Sequence, residues 1–356
     1  METSTKFSGT ELMLVVTNSI ISKLFLTYPS AFSSLAASAG IILSLCTVVA
    51  GGILMVLTVY LYGKKREDIT NILKNKACRY IITVIIIILL IINLSLFVRS
   101  VSESIKISLL PSSPLFFISF IFVLGALICS HTGLKAIVRS HSFIVPFTLA
   151  MVAILILSSV RNFDFYNIFP IMGNGYGMFS YLWILCGYFA DFLTFLLLIP
   201  FSSDNMSFGK VTAGSFIISS AVLVSVISMY TLIIPYTTSD TLFIPVYRIA
   251  QYINYESFMS RVESIFTVGW LLSFFANASL QIYLASMLTG RIFRQKSNRP
   301  AMYVISVLVL SASMIPKNTA QLVNWLNNFT IPKLIVGIIL PIIILCIARY
   351  KEAAQK

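Results

Sequence analysis

The sequence predicts an all-α polytopic membrane protein with about ten transmembrane helices in a five-plus-five inverted repeat, the LeuT-like fold, with its first and sixth helices broken. The base of that expectation is composition: 58% of the 356 residues are hydrophobic and 10% are charged, with a mean hydropathy of +0.94. Soluble domains carry about a quarter of their residues as charges, so a water-soluble enzyme is excluded. A second observation is length, since each spanning helix needs roughly 20 apolar residues and a window of about 19 residues finds ten such stretches. The third is that two of these stretches, one at the start of each half, carry polar and charged residues where hydrocarbon should be.

The stretches cover 9–28, 37–62, 80–98, 113–130, 142–160, 178–200, 211–235, 264–288, 300–315 and 331–348. The first is interrupted, because Thr17, Asn18, Ser19, Ser22 and Pro29 surround Lys23 with residues that do not favour a continuous helix. Gly51 and Gly52 in the second suit close helix contact, and the third carries Asn93 and Ser95. The sixth follows Phe169–Gly177, FPIMGNGYG, a segment suited to irregular entry, and holds Gly187, Asp191 and Thr194 on one small polar face. Ser215, Ser219, Ser220 and Ser225 fit the seventh for close packing. Gly269, Ser273, Asn277 and Gln281 recur every four residues in the eighth and form one polar stripe, either a hydrogen-bonding seam between helices or the wall of a cavity. The fourth, fifth, ninth and tenth are read on hydropathy alone. One integral membrane domain over 1–356 is expected, with repeats at about 9–160 and 178–348.

The formal charge of +13 comes from 25 Lys and Arg against 12 Asp and Glu. With the N-terminus inside, the inner segments collect 17 basic residues, and the outer ones hold Arg99, Lys106, Arg161, Arg248, Arg261, Lys317 and Lys333. The positive-inside rule therefore places both termini in the cytoplasm and accounts for the charge without nucleic acid, for which no aromatic-basic motif exists. The start lacks a strong basic region and a cleavage site, so the first span reads as retained. The inner loop Gly63–Arg79 reads as a solvated topology signal or a segment lying on the inner leaflet. The outer connection Pro235–Glu263 reads as a partly amphipathic cap or an ordinary loop, with Arg261 and Glu263 as a solvated pair.

Five scattered cysteines without a C-x-x-C pair read as small packing residues. His131 and His141 read as members of one polar loop without a nearby carboxylate, so neither a metal nor another cofactor is expected. No nucleophile elbow, H-E-x-x-H, P-loop or paired carboxylates occur, and an enzyme is not expected.

A charge at the centre of a span costs roughly 2.5 to 3.5 kcal/mol on the insertion scale, so Lys23 and Asp191 need a reason. Facing one another at about 4 Å with an effective dielectric near 20, they would gain roughly 4 kcal/mol. The alternatives are a snorkelling Lys23 and an Asp191 that caps or bonds a neighbouring helix. A broken helix leaves free backbone groups, which membranes tolerate only around a protected cavity.

Several stretches together resemble the B-subunit family of bacterial spore germinant receptors, the GerAB-like endospore germination permeases of the amino acid-polyamine-organocation transporter superfamily. They are SIISKLFLTYPSAFSSLAASAG at the first span, LLPSSPLFF at the fourth, NIFPIMGNGYG before the sixth and RVESIFTVGWLLSFFANASLQIYLAS at the eighth. The resemblance implies a subunit in the spore inner membrane that senses a small germinant such as an amino acid and works with an A-type membrane subunit and a C-type lipoprotein. Members often carry a Gly-Val-Gly-like unit at the first break, where this chain has Ser22-Lys23-Leu24, a change that narrows or recharges the pocket. The expected pocket lies between the broken first and sixth spans with the third and eighth as walls. Its candidate residues are Ser19, Ser22, Lys23, Asn93, Gly187, Asp191, Ser273 and Asn277, with Lys23 as counter-charge for a ligand carboxylate or as a tether to Asp191. The rival expectation is an independent proton- or sodium-coupled secondary transporter of amino acids or cations that uses Asp191 as proton acceptor. An assembly scaffold with an empty pocket is the third.

Overall fold

The computed structural model describes residues 6–63, 67–72, 75–204, 206–239, 243–252, 262–295 and 297–353. Helix α1 (Gly9–Ile21) begins at Ser8, whose hydroxyl accepts from the Glu11 backbone while the Glu11 carboxylate accepts from the Ser8 backbone, a reciprocal cap that satisfies two otherwise orphaned donors. It ends where Ser22–Phe25 tightens into a 3₁₀ turn, and α2 (Tyr28–Ala36) resumes with Pro29 in its first turn, where no backbone N–H is needed. Next come α3 (Gly40–Tyr62), α4 (Lys76–Ser108), α5 (Leu115–His131) and α6 (Leu134–Ser159). After short 3₁₀ turns, the sixth span alternates between helix types: α7 (Leu182–Leu185), a 3₁₀ segment Cys186–Phe192, then α8 (Leu193–Leu198). The rest comprises α9 (Phe208–Ile233), the short α10 (Tyr236–Ser239) and α11 (Pro245–Tyr252), α12 (Val262–Ile292), α13 (Arg299–Ser313), α14 (Thr319–Leu334), a π turn Ile335–Ile339 and α15 (Leu340–Ala353).

Seven segments are long and apolar enough to cross a membrane. With α1 and the shorter apolar helices α5 and α13, the described residues supply the ten-span order that the sequence predicts. Among them no strand forms, apart from an isolated parallel bridge between Phe7 and Ser202. Position in the bundle separates the helices. The apolar windows of Gly175–Phe201 and Phe266–Ile292 are 83% buried, against 33% for Tyr28–Tyr62, so the sixth and eighth spans form the centre and α3 lies outside. Its exposed Val49, Ile53, Val56 and Tyr60 suit lipid.

Several expectations are corrected. The third span runs to Ser108, which puts Arg99 inside α4 and buries it rather than leaving it in an outer segment. His131 and His141 do not share a loop: α5 ends at His131, and His141 is buried within α6. The tenth span begins at Thr319 and buries Lys333. Of the inner loop, Asp68, Ile69 and Thr70 are buried rather than solvated, with Asp68 paired to Arg291. Among the cysteines only Cys186 is buried; Cys78, Cys129 and Cys346 are exposed. The predicted Arg261–Glu263 pair and residues 64–66 of the inner loop lie outside what the structure describes.

The irregular sixth span sits close to its neighbours because glycines face it. A Cβ on Gly337, in the π turn, would lie 2.7 Å from the Ala190 carbonyl oxygen and 2.8 Å from Ala190 Cβ. A Gly337→Val substitution is therefore expected to destabilise the protein by about 1–3 kcal/mol, as overpacking does, and to lower the midpoint of thermal unfolding of the detergent-purified chain.

Candidate functional site

The breaks in the first and sixth spans bring Lys23 and Asp191 together. Each falls in 3₁₀ geometry, in Ser22–Phe25 and Cys186–Phe192, so the side chains meet where both helices lose their regular pitch. The Lys23 ammonium donates to Asp191 Oδ1 at 2.7 Å, to Asp191 Oδ2 at 2.6 Å and to Asn93 Oδ1 at 3.0 Å. An ammonium has three donors and no acceptor, so these three contacts saturate it. Lys23 does not snorkel; 6% of it is exposed, as is 8% of Asp191.

A second cation shares the carboxylate. Lys333 of α14 donates to Asp191 Oδ2 at 2.8 Å and is equally buried. Sequence reading places it in an outer segment because the first half of α14, TAQLVNWLNNFT, is too polar to register as a span. The signal that would have found it is the lysine inside the hydropathic window that begins at 331.

The polar stripe of α12 is a seam. Asn93 Nδ2 donates to Gln281 Oε1 at 3.0 Å, Gln281 Nε2 to Asn277 Oδ1 at 3.3 Å, and Asn277 Nδ2 to Ser22 Oγ at 2.9 Å. The path returns to the residue beside Lys23 and joins the first, third and eighth spans. One turn away, Ser273 Oγ donates to Asn18 Oδ1 at 2.6 Å and Asn18 Nδ2 donates to the Ser273 carbonyl at 3.1 Å. Asn18 and Gln281 are participants beyond the predicted eight residues. Ser19 turns its hydroxyl to the Val15 carbonyl of its own helix, and Gly187 leaves room for Thr330, whose Cγ2 would lie 2.8 Å from an added Cβ.

Two neighbouring cavities adjoin the cluster. A chamber of about 40 Å³ is lined by Lys23, Asn93 and Lys333 together with Leu26, Phe97, Ser100 and Phe329. A vestibule of about 270 Å³ lies between α2, α7 and α14, reaching Tyr181 and Ile184. Thr27, Tyr28, Leu326 and Thr330 line both. Of the predicted residues, Lys23 and Asn93 face the chamber; Asp191 anchors its lysines from behind, and Ser22, Ser273 and Asn277 are held in the seam. The walls beside the first span therefore come from the third and tenth spans more than from the eighth.

At the opposite end of the bundle, around the N-terminus, contacts close the fold. Lys6 pairs with Asp204, the Phe7 amide donates to the Phe201 carbonyl at 2.8 Å, and the Ser203 amide donates to the Phe7 carbonyl at 2.9 Å. The two ends of the molecule are thus unequal. One holds a vestibule and the other a set of ties.

A family profile described as "Spore germination protein" matches residues 6–322. The chain belongs to the spore germination protein family. It is similar to spore germination protein B2 of Bacillus subtilis (strain 168), 23% identical over 217 residues, which cover 58% of this chain and 58% of that protein. Spore germination protein A2 of the same organism is 23% identical over 233 residues, covering 64% of this chain and 62% of that protein. The matched segments thus span about three fifths of these relatives. Among solved structures, the crystal structure of MhsT in complex with L-phenylalanine matches with a TM-score of 0.69, covering 96% of this chain and 88% of that one at 12% identity. That likeness shows the fold, a transporter-type helical bundle.

The ion cluster orders the effects of substitution. Removing the single carboxylate leaves two buried ammoniums without a counter-charge, so Asp191→Asn is expected to destabilise by roughly 3–5 kcal/mol. Lys23→Met leaves a balanced Lys333–Asp191 pair and is expected to lower the unfolding temperature less. Scanning fluorimetry of the two purified variants checks that order, and a Lys23→Met variant as damaged as Asp191→Asn would contradict it.

Proposed function

We propose that this member of the spore germination protein family is a transporter-like subunit of a spore germinant receptor. It binds a small germinant, amino acid-like in size, at the break of the first span and passes the resulting conformational change to partner subunits. The observation that carries the reading is the chamber itself. It is a small space beside buried charges at the break of the first span, and it shares the lining residues Thr27, Tyr28, Leu326 and Thr330 with a larger vestibule. MhsT, whose fold the chain shares, is described in complex with L-phenylalanine, and a ligand of that scale suits this reading.

In this reading the protein is one integral membrane domain of two repeats in the spore inner membrane, with both termini cytoplasmic. The vestibule then faces outward and the ties around Lys6 and Phe7 face the cytoplasm. The partners are an A-type membrane subunit and a C-type lipoprotein. A ligand shifts the equilibrium only through a difference in affinity between two conformers. The elements that define that difference are α2 and α14, which share the residues common to both cavities.

The test blocks the passage. Thr27 lines both chamber and vestibule, and Thr27→Trp fills the space between them. Spores that carry this variant at normal membrane abundance are expected to lose their germination response to a mixture of the proteinogenic amino acids and to keep their response to a non-nutrient trigger such as hydrostatic pressure. An unchanged nutrient response would overturn the reading.

A second reading, independent transport, draws on the contrast between the vestibule at one end of the bundle and the contacts of Lys6 and Phe7 at the other, an asymmetry that suits an end state of alternating access. Gradient-driven amino acid uptake by the purified chain alone in liposomes would favour it. Uptake no faster than in empty liposomes favours the receptor subunit.

A further inference from the structure

The charges around the chamber do not balance, and the imbalance points to the class of ligand. Two ammoniums, those of Lys23 and Lys333, share the single carboxylate of Asp191, and all three residues are at least nine-tenths buried. Three other carboxylates pair with cations elsewhere, Glu103 with Arg99, Asp68 with Arg291 and Asp204 with Lys6. Among the described residues no Asp or Glu lines the chamber or the vestibule, whereas both lysines line the chamber. A buried charge without a partner is strongly disfavoured, and one negative charge brought from outside would balance the cluster.

The two lysines are not equivalent. Lys23 has committed its three donors to Asp191 and Asn93, while Lys333 gives one to Asp191 Oδ2 and lines the chamber together with Tyr28. We infer that the pocket selects small monocarboxylates, and that Lys333 on α14 is the group that receives the ligand carboxylate. This inference rests on the reading of the chamber as a ligand site. The chamber, at about 40 Å³, has room for a few water-sized groups and suits the carboxylate end. Leu26, Leu96, Phe97 and Phe329 suit an apolar carbon adjacent to it, with the body extending into the vestibule. A ligand ammonium finds no carboxylate in either lining, so recognition falls on the acid and not on the amine.

Lys333 is also placed to report binding. Pro332 precedes it, and the π turn Ile335–Ile339, packed on Ala190 through Gly337, follows it. A carboxylate that draws Lys333 away from Asp191 acts next to the one stretch of the tenth span that departs from α-helical geometry, where helices commonly hinge.

The experiment uses the full chain in lipid nanodiscs and titrates L-alanine, L-leucine and L-phenylalanine, the three corresponding amides, and propionate, 4-methylpentanoate and 3-phenylpropionate. Binding is read by isothermal titration and by the thermal shift. The expected result is that at least one amino acid and its des-amino analogue bind with affinities within about tenfold of each other, while the amide binds at least about tenfold more weakly, the loss of one charge-assisted contact. Lys333→Met is expected to lose binding of the acid, and Lys333→Arg to retain it, which separates loss of charge from loss of fold. If an amide binds as tightly as its acid, or if folded Lys333→Met binds the acid unchanged, the inference is overturned while the ligand site stands. If no compound of the three classes binds, both the inference and the ligand-site reading fall.

Discussion

The structure turns on one carboxylate shared by two lysines deep in an apolar bundle. Asp191 draws Lys23 from the first span and Lys333 from the tenth to within 2.8 Å, and by doing so fixes three spans that have each lost regular helical geometry. That irregularity and the ion cluster need each other. Broken helices leave unsatisfied backbone groups that lipid cannot hydrate, so they must be packed inward, and three buried ionised groups require a site in which each finds a partner. The surrounding aliphatic and aromatic core excludes water and makes every one of these contacts stronger than it would be at a surface.

Neutral polar groups do a different job from the charged ones. The amides and hydroxyls of α12 are consumed in a seam with the first and third spans, Ser273 with Asn18, Asn277 with Ser22, and Gln281 with Asn93. Such bonds hold helices together where hydrophobicity gives no preference between lipid and protein, and here they stiffen the wall behind Lys23. Among the described residues the tenth span makes no such seam to the chamber. It meets the cluster through Lys333 and through the close approach of Gly337 to Ala190. The tenth span is thus held to the sixth by one charged contact and by close packing at Gly187 and Gly337.

How much of this was written in the sequence depends on the kind of signal. The helical class, the order of spans and the broken first and sixth helices follow from hydropathy and from polar residues in the wrong solvent, both properties of short stretches of chain. Lys23 and Asp191 stood out for the same reason, as charges surrounded by apolar neighbours. The family was legible too, in four stretches whose order the profile match over 6–322 supports. Arg99 and Lys333 were missed because each sits at the edge of a hydropathic window, Arg99 just beyond 80–98 and Lys333 just inside 331–348, where a local reading assigns the charge to the neighbouring outer loop. His141 was misplaced for the same reason, since the polar start of α6 resembles a connection until it packs.

The sequence by itself determined that the chain spans a membrane, pointed to breaks in two helices, and placed a lysine and an aspartate within those spans, because placement in lipid is dictated by length and local polarity. Only the tertiary structure decided the partners. Whether α12 lines a cavity or seals a seam, that a second lysine 142 residues from Asp191 joins it, and that the chamber opens between the first, third and tenth spans are all contacts between distant segments. No window along the chain contains them, because direction and distance between helices are set by how their side chains interlock.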